Sequence, residues 1–236
     1  MSSEWAQKRF WKLAEVTQEP KGFSVKLDGR ALKTPAKAAL IVPSRVMAES
    51  IAAEWNAQTD KIDPGTMPVT RSANAAIDKV ATQHSEVADL LAEYGGSDLL
   101  CYRATSPQEL IERQAENWDP LLDWSANVLA APLESVSGVM HMAQNETSLA
   151  NLRNRVHALD NFQLAAFHDL VSLSGSLVLG FAALLDFRPI DELWQLSRID
   201  ETWQEEQWGV DEEAQMMASQ KYHAFIHAYK FAKMLY

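Results

Sequence analysis

Only one cysteine, Cys101, occurs in 236 residues. The chain therefore forms no intramolecular disulfide, which fits a reducing compartment. It also lacks a run of membrane length. Leu170 to Leu185 carries no charge, but it is 16 positions long between Asp169 and Asp186, and a span needs about 20. Ser172, Ser174, Gly175, Ser176 and Gly180 within it read as a close-packed face of a buried helix. The first ten residues have no apolar core of a secretory signal. Basic residues become scarce along the chain. The first 80 residues hold 12 Lys and Arg against 9 Asp and Glu, the remainder 9 against 23, for a net charge of −11. Such a surface repels phosphate backbones, which argues against nucleic acid as a partner. It permits a basic protein surface on the acidic part, and a plainly solvated acidic face is the alternative.

Catalytic signatures are missing as well. Gly175-Ser-Leu-Val-Leu-Gly180 has the glycine spacing of a phosphate loop, but Phe181 and Ala182 follow where lysine and a hydroxyl residue are required. The segment also sits mid-helix rather than after a strand. No dinucleotide fingerprint or nucleophile elbow occurs. His223 and His227 stand four apart, as zinc would require, but Ala224 occupies the place of a metalloprotease glutamate. A third ligand, Glu213 or His168, would have to come from elsewhere without a signature, so two ordinary helix histidines are the reading. Cys101 beside Tyr102 and Arg103 is either an activated thiol or a buried small hydrophobe, and the second is the commoner fate. Acidic pairs are too abundant for any one to be informative. No enzyme, metal or cofactor is expected.

What is present is a core: 47% of residues are hydrophobic and 22% charged. Residues 10–17 alternate, with Phe10, Lys12, Ala14 and Val16 on one face of an extended strand. Glu19-Pro-Lys-Gly22 is a turn, Phe23, Val25 and Leu27 alternate again, and Asp28-Gly29 is a tight-turn dipeptide. Short strands at 32–35 and 39–42 complete an antiparallel meander. The period then changes. Ser44 reads as an N-cap, and Met47, Ile51 and Trp55 predict a helix over 45–58. Thr59 to Pro68 is a loop. Beyond it the spacing predicts one or two helices over 70–94, stopped by Gly95-Gly96, and a helix opened by a capping box at Ser106-Pro-Gln-Glu109, kinked or restarted at Pro120. Further helices are expected at 147–159, 162–185, 190–207 and 211–234. The fold class is α+β: a small antiparallel β-rich N-terminal domain with one helix, residues 1–68, followed by a larger all-helical C-terminal domain, residues 69–236.

One segment has binding chemistry. In Asp200-Glu-Thr-Trp-Gln-Glu-Glu-Gln-Trp-Gly-Val-Asp-Glu-Glu213, residues Glu201, Gln204 and Trp208 fall at i, i+3 and i+7 of a helix, with Glu205 beside them. That face combines a carboxylate, an amide and an aromatic ring. Gly209 is placed to end the helix and Asp211 to cap the next. The plain alternative is that Trp203 and Trp208 anchor the helix in the core while the acids face water.

Taken in order, the blocks Arg9-Phe-Trp-Lys12, Leu27-Asp-Gly-Arg-Ala-Leu-Lys-Thr-Pro-Ala36, Ile51-Ala-Ala-Glu-Trp-Asn-Ala-Gln58, Ile62-Asp-Pro-Gly-Thr-Met-Pro-Val-Thr70, Asp98-Leu-Leu-Cys-Tyr-Arg-Ala104, Trp118-Asp-Pro120 and Gln204…Trp208-Gly209 resemble a known family. It comprises the assembly chaperones for the alpha subunit of the F-type ATP synthase catalytic head, found in mitochondria and alphaproteobacteria. The resemblance runs over nearly the whole chain. It implies an N-terminal β domain, an all-helical domain and an ATP-independent chaperone, monomeric when free and not inserted in membrane. Its client would be the free alpha subunit, whose subunit interface it shields until the beta subunit arrives. The chain lacks a mitochondrial targeting extension, which suggests a bacterial, cytoplasmic member, the organellar relatives being in the matrix. By the same resemblance the acidic residue near the start of the 200–208 element is the leading contact, Asp200 or Glu201. Asp200, Glu201, Gln204, Glu205 and Trp208 are thus the expected partner-binding residues. The rival expectation is a small-molecule enzyme using carboxylates in a helical cleft around Trp203 or His168, and a third is a permanent subunit of a larger assembly.

Overall fold

Asp28 and Gly29 both have positive φ, 45° and 83°, the geometry of a two-residue hairpin turn. The Asp28 carboxylate accepts the Lys12 and Leu13 amides at 2.9 and 3.0 Å, and these hydrogen bonds hold its pKa below the usual carboxylate value. Around that turn the computed structural model, which describes residues 8–236, builds an antiparallel sheet, but the strands expected at 32–35 and 39–42 are replaced by two-residue strands at 30–31 and 41–42, each paired with the second strand instead of with the other. Strand β1 (Ala14–Glu19) pairs antiparallel with β2 (Gly22–Leu27), Val16 opposite Val25. Strands β3 (Arg30–Ala31) and β4 (Ile41–Val42) also pair with β2. The expected strand from Phe10 starts instead at Ala14, because Trp11 turns inward onto Trp55, ring centroids 5.0 Å apart. Gly22 closes the first turn with φ 144°, where an added Cβ would lie 2.3 Å from the Val42 carbonyl oxygen.

Helix α1 (Arg45–Ala57) lays Met47, Ala48, Ile51 and Ala52 on the sheet. Ser44 caps it as expected, its Oγ accepting the Met47 amide at 3.1 Å. Asn56 stands in for a missing strand: its side chain accepts from Ala14 N and donates to Ala14 O at 2.8 and 3.0 Å. Helix α2 (Pro68–Asp78) begins without a cap of its own. Glu54 supplies one, accepting from Val69 N, Thr70 N and Thr70 Oγ1 at 2.6–2.8 Å. This tether carries the first compact unit past the loop at which the sequence divides. The unit runs to Gln83 and takes in Asn161–Ala165 and Lys230–Tyr236. Ser44 Oγ donates to the Met234 carbonyl, and Phe162 meets Phe231, centroids 6.5 Å apart.

The second unit comprises His84–Asp160 and Ala166–Tyr229. In chain order it holds α3 (His84–Ala92), β5 (Tyr102–Arg103), α4 (Gln108–Trp124), β6 (Val136–Ser137) and α5 (Glu146–His157). The greater part of α6 (Asn161–Ser174), then α7 (Leu177–Leu184), α8 (Ile190–Leu196), α9 (Ile199–Trp208) and α10 (Glu212–Lys233) as far as Tyr229 follow. Trp118 is wholly buried in it, donating Nε1–H to Leu196 O at 2.8 Å, with Phe167, Leu177, Leu193 and Phe225 also buried. Strands β5 and β6 form a short parallel pair.

The helix expected over 162–185 is two helices, broken where Gly175 takes φ 72° and Ser176 caps α7 by accepting the Leu179 amide. The helix expected over 190–207 breaks at Ser197–Arg198. The capping box at Ser106 does not form: the cap is Pro107 and makes no side-chain hydrogen bond. Helix α4 runs through Pro120 and ends in a π-type turn, Ser125–Leu129. Gly95 ends no helix in a left-handed cap; it lies in a tight turn where an added Cβ would be 3.2 Å from Leu152.

The two glycines of the false phosphate loop serve separate purposes, a break at Gly175 and a close approach at Gly180. A Cβ on Gly180 would sit 2.7 Å from Val171 Cγ2 and 2.9 Å from Phe167 Cε2. Gly180→Ala is expected to cost about 1–3 kcal/mol through overpacking, read as a lower urea midpoint at unchanged slope. An unchanged midpoint would show that the two side chains move aside freely.

Candidate functional site

Helix α9 buries Ile199 and exposes most of its other residues. Its first turn carries Asp200 and Glu201, where the helix dipole favours negative charge. Its other acids have cations at hand. Arg198 reaches Glu201 at 3.1 Å and Glu205 at 3.8 Å. Arg113, from α4, pairs with Glu206 at 2.9 Å and lies 4.9 Å over the Trp203 ring. The Arg113 hydrogen bond holds the Glu206 carboxyl below its ordinary pKa. Asp200 differs: among the described residues it makes no ion pair. Its Oδ1 accepts from Gln114 Nε2 at 2.6 Å, while Gln114 Oε1 accepts the Ala104 amide at 2.7 Å.

The helix is a ridge between two grooves. A cleft of about 690 Å³ lies on one side, walled by residues 102–107, Leu110, Gln114, Gly138 and Val139, and by Asp200, Trp203, Gln204, Gln207 and Trp208. The other, about 370 Å³, is lined by Glu201, Gln204, Glu205 and Trp208 with Arg198, Met217 and Lys221. Four of the five expected residues therefore share the smaller groove, as their helical spacing implies, and Asp200 faces the larger cleft. Gln204 and Trp208 line both. Trp208 is 79% exposed, so it anchors nothing in the core. Val210, Met216 and Met217 are exposed nearby in the chain. Gly209 ends α9 with φ 90°, and Asp211 Oδ1 caps α10 by accepting the Glu213 and Ala214 amides, as the sequence implies.

Sequence reasoning missed Gln114, Val139 and the α4 contribution, since no local pattern marks them. The other chemical candidates resolve plainly. Cys101 is buried, and burial, with the Asp98 charge behind it, pushes its thiol up to about 12; an activated thiol is not what this site holds. His168 Nδ1 lies 2.9 Å from Asp169, a hydrogen bond that raises the imidazole pKa. Among the described residues no three His, Cys, Asp or Glu side chains converge as a metal site. Asp98 is the carboxyl whose proton burial holds more tightly, and it is sealed among backbone donors rather than presented to the cleft. No helix among the described residues is long and apolar enough to cross a membrane.

Known proteins share both the sequence and the architecture. The family model described as ATP12 chaperone protein matches residues 8–126. The mitochondrial protein atp12 of Schizosaccharomyces pombe is 28% identical over 220 residues, 88% of this chain and 75% of the relative. The crystal structure of Atp12 from Paracoccus denitrificans superposes with a TM-score of 0.96 at 46% identity, covering 99% of this chain and 100% of that one. An aspartate-to-lysine mutant of the same Paracoccus protein gives the same values. An α+β architecture shared over 99% of the chain at that identity, together with the family match over residues 8–126, leaves one assignment: the chain belongs to the ATP12 chaperone family.

Proposed function

We propose that the protein is a non-enzymatic, ATP-independent chaperone in ATP synthase assembly. It holds the free alpha subunit of the catalytic head at the α9 ridge and shields its subunit interface until the beta subunit displaces it. The observation that carries this reading is the ridge itself: an exposed indole at Trp208 between two grooves, with a carboxylate at Asp200 that no cation of the described chain neutralises. Aromatic anchors rimmed by polar groups are the recurrent form of protein-binding sites. Independence from ATP is supported by Gly175 and Gly180, the only loop-like glycine spacing, being used for a helix break and for close packing. A monomer in the bacterial cytoplasm suits the role.

The experiment is affinity purification of the full chain from native lysate, followed by reconstitution with purified alpha subunit. The expected result is recovery of the alpha subunit, equal capture with and without ATP, and release on adding beta subunit. Failure to bind purified alpha subunit sinks the proposal. Capture that requires ATP would overturn its nucleotide-free part.

A further inference from the structure

The Asp200 carboxylate is fixed in place. Gln114, 1% exposed, has both ends of its amide occupied, one by the Ala104 amide and one by Asp200 Oδ1. Asp200 Oδ2 makes no hydrogen bond among the described residues and belongs to a residue lining the larger cleft. The other charged residue of that cleft, Arg103, is committed elsewhere: Nη2 to Asp119 at 2.8 Å and Nε to Leu100 O at 2.9 Å. The cleft therefore holds one unmatched negative charge. Its apolar end is equally definite, since Trp208 and Val139, 79% and 91% exposed, both line it. Between the two ends lie Gln204 and Gln207, whose amides both donate and accept. That suits the alternating N–H and C=O groups of an extended backbone.

Eight residues of helix separate Asp200 from Trp208, about 12 Å at 1.5 Å per residue. An extended chain covers that in three to four residues at about 3.3 Å each. We infer that the cleft takes an extended segment of the client. Its cationic side chain pairs with Asp200, and a large apolar side chain three or four positions away lies against Trp208 and Val139. The inference rests on the chaperone reading above and adds the chemistry and spacing of what is held. Charge complementarity selects the cation, because an anionic segment would meet an unneutralised carboxylate. The cleft volume, about 690 Å³, lies within the roughly 300–1,000 Å³ of pockets that enclose small ligands.

The test uses the full chain and fluorescein-labelled peptides of nine residues, read by anisotropy. One peptide carries arginine and leucine separated by three serine or glycine positions. A second has glutamate in place of arginine, and a third has arginine and leucine adjacent. The first is expected to bind about tenfold tighter than either other. Asp200→Asn keeps an acceptor for Gln114 and is expected to erase the preference for arginine. Trp208→Ala is expected to erase the preference for spacing. Equal affinities among the peptides, no measurable binding of any, or an unaltered preference in Asp200→Asn would overturn the inference. Capture of purified alpha subunit, measured beside it, separates the two readings. Capture without peptide discrimination overturns the cleft chemistry and leaves the client standing; discrimination without capture keeps the cleft and overturns the client.

Discussion

Asp200→Lys is expected to abolish capture of the alpha subunit, with a loss of affinity above about 100-fold, while the same reversal at Glu201 costs about tenfold or less. Residue spacing by itself puts Glu201 first, as the carboxylate in line with Gln204 and Trp208. The structure distinguishes the two acids by their neighbours. Glu201 is paired with Arg198 at 3.1 Å, so its charge is already countered within the chain. Asp200 has only the neutral Gln114 amide. Placing a cation opposite a cationic partner group in a desolvated contact costs several kcal/mol, and truncating one partner of such a pair about 2–5. Asp200→Lys also strands the Gln114 amide, so its own fold should lose about 1–3 kcal/mol. Asp200→Asn retains an oxygen acceptor for Gln114 and should leave the melting transition nearly unmoved, yet still weaken capture about tenfold. The measurement is pull-down of purified alpha subunit across a concentration series, beside chemical denaturation of each variant. Equal losses in Asp200→Lys and Glu201→Lys would mean that the ridge acts through its overall charge, not through one unpaired carboxylate.

How much of this was legible beforehand depends on the range of the interaction. Ser44 and Asp211 cap helices by accepting amides within three residues of themselves, and Gly209 ends one through its own φ of 90°, so these roles could be read directly from the chain. The Asp28-Gly29 turn belongs with them. The face formed by Glu201, Gln204, Glu205 and Trp208 was legible for the same reason, being a consequence of helical period alone. The breaks at Gly175 and Ser197 were not. A glycine amid apolar residues is compatible with a continuous buried helix, and what decides the matter at Gly175 is a partner from elsewhere: Leu99 N donates to Gly175 O at 3.1 Å. Gln114 was invisible because its two partners lie 10 and 86 positions away. Residue 68 looked like a division because the loop before it is rich in turn formers. The tether across it is a set of hydrogen bonds from Glu54, 15 and 16 positions back. Local chemistry and periodicity were readable; anything settled by a partner distant in the chain was not.

The largest loss of stability is expected at Asp98, which organises the wall of the cleft from behind. It is fully buried. Its carboxylate accepts from Leu100 N at 3.1 Å and Val178 N at 3.0 Å, and Ser176 and the Leu177 amide also donate to it. One side chain thus caps the start of α7 and fixes the turn that leads into β5. Beyond that turn Arg103 donates to Leu100 O and lies 5.3 Å over the Trp118 ring, so the position of residues 102–107 depends on it. Asp98→Ala leaves several buried donors without an acceptor at about 1–3 kcal/mol each, and a total of roughly 3–5 kcal/mol is expected. The pH dependence distinguishes this carboxyl from a surface one. Burial raises the folded-state pKa above 3.8, the four hydrogen bonds offsetting it only in part. The folded state therefore binds this proton more tightly than the unfolded state. The stability that follows is fully present below about 3.8 and is lost as pH rises through the folded value. Asp98→Asn removes the titration. The wild-type protein should accordingly gain stability relative to Asp98→Asn as pH falls from 7 towards 4, measured by urea denaturation at each pH. A gap that stays constant, or one that moves the other way, would show that the carboxyl is not held as a buried acid. Asp98 does not itself line the cleft, so Asp98→Ala should weaken capture of the alpha subunit only in step with its loss of stability and of the 102–107 wall, whereas Asp200→Lys should abolish it in protein that remains folded.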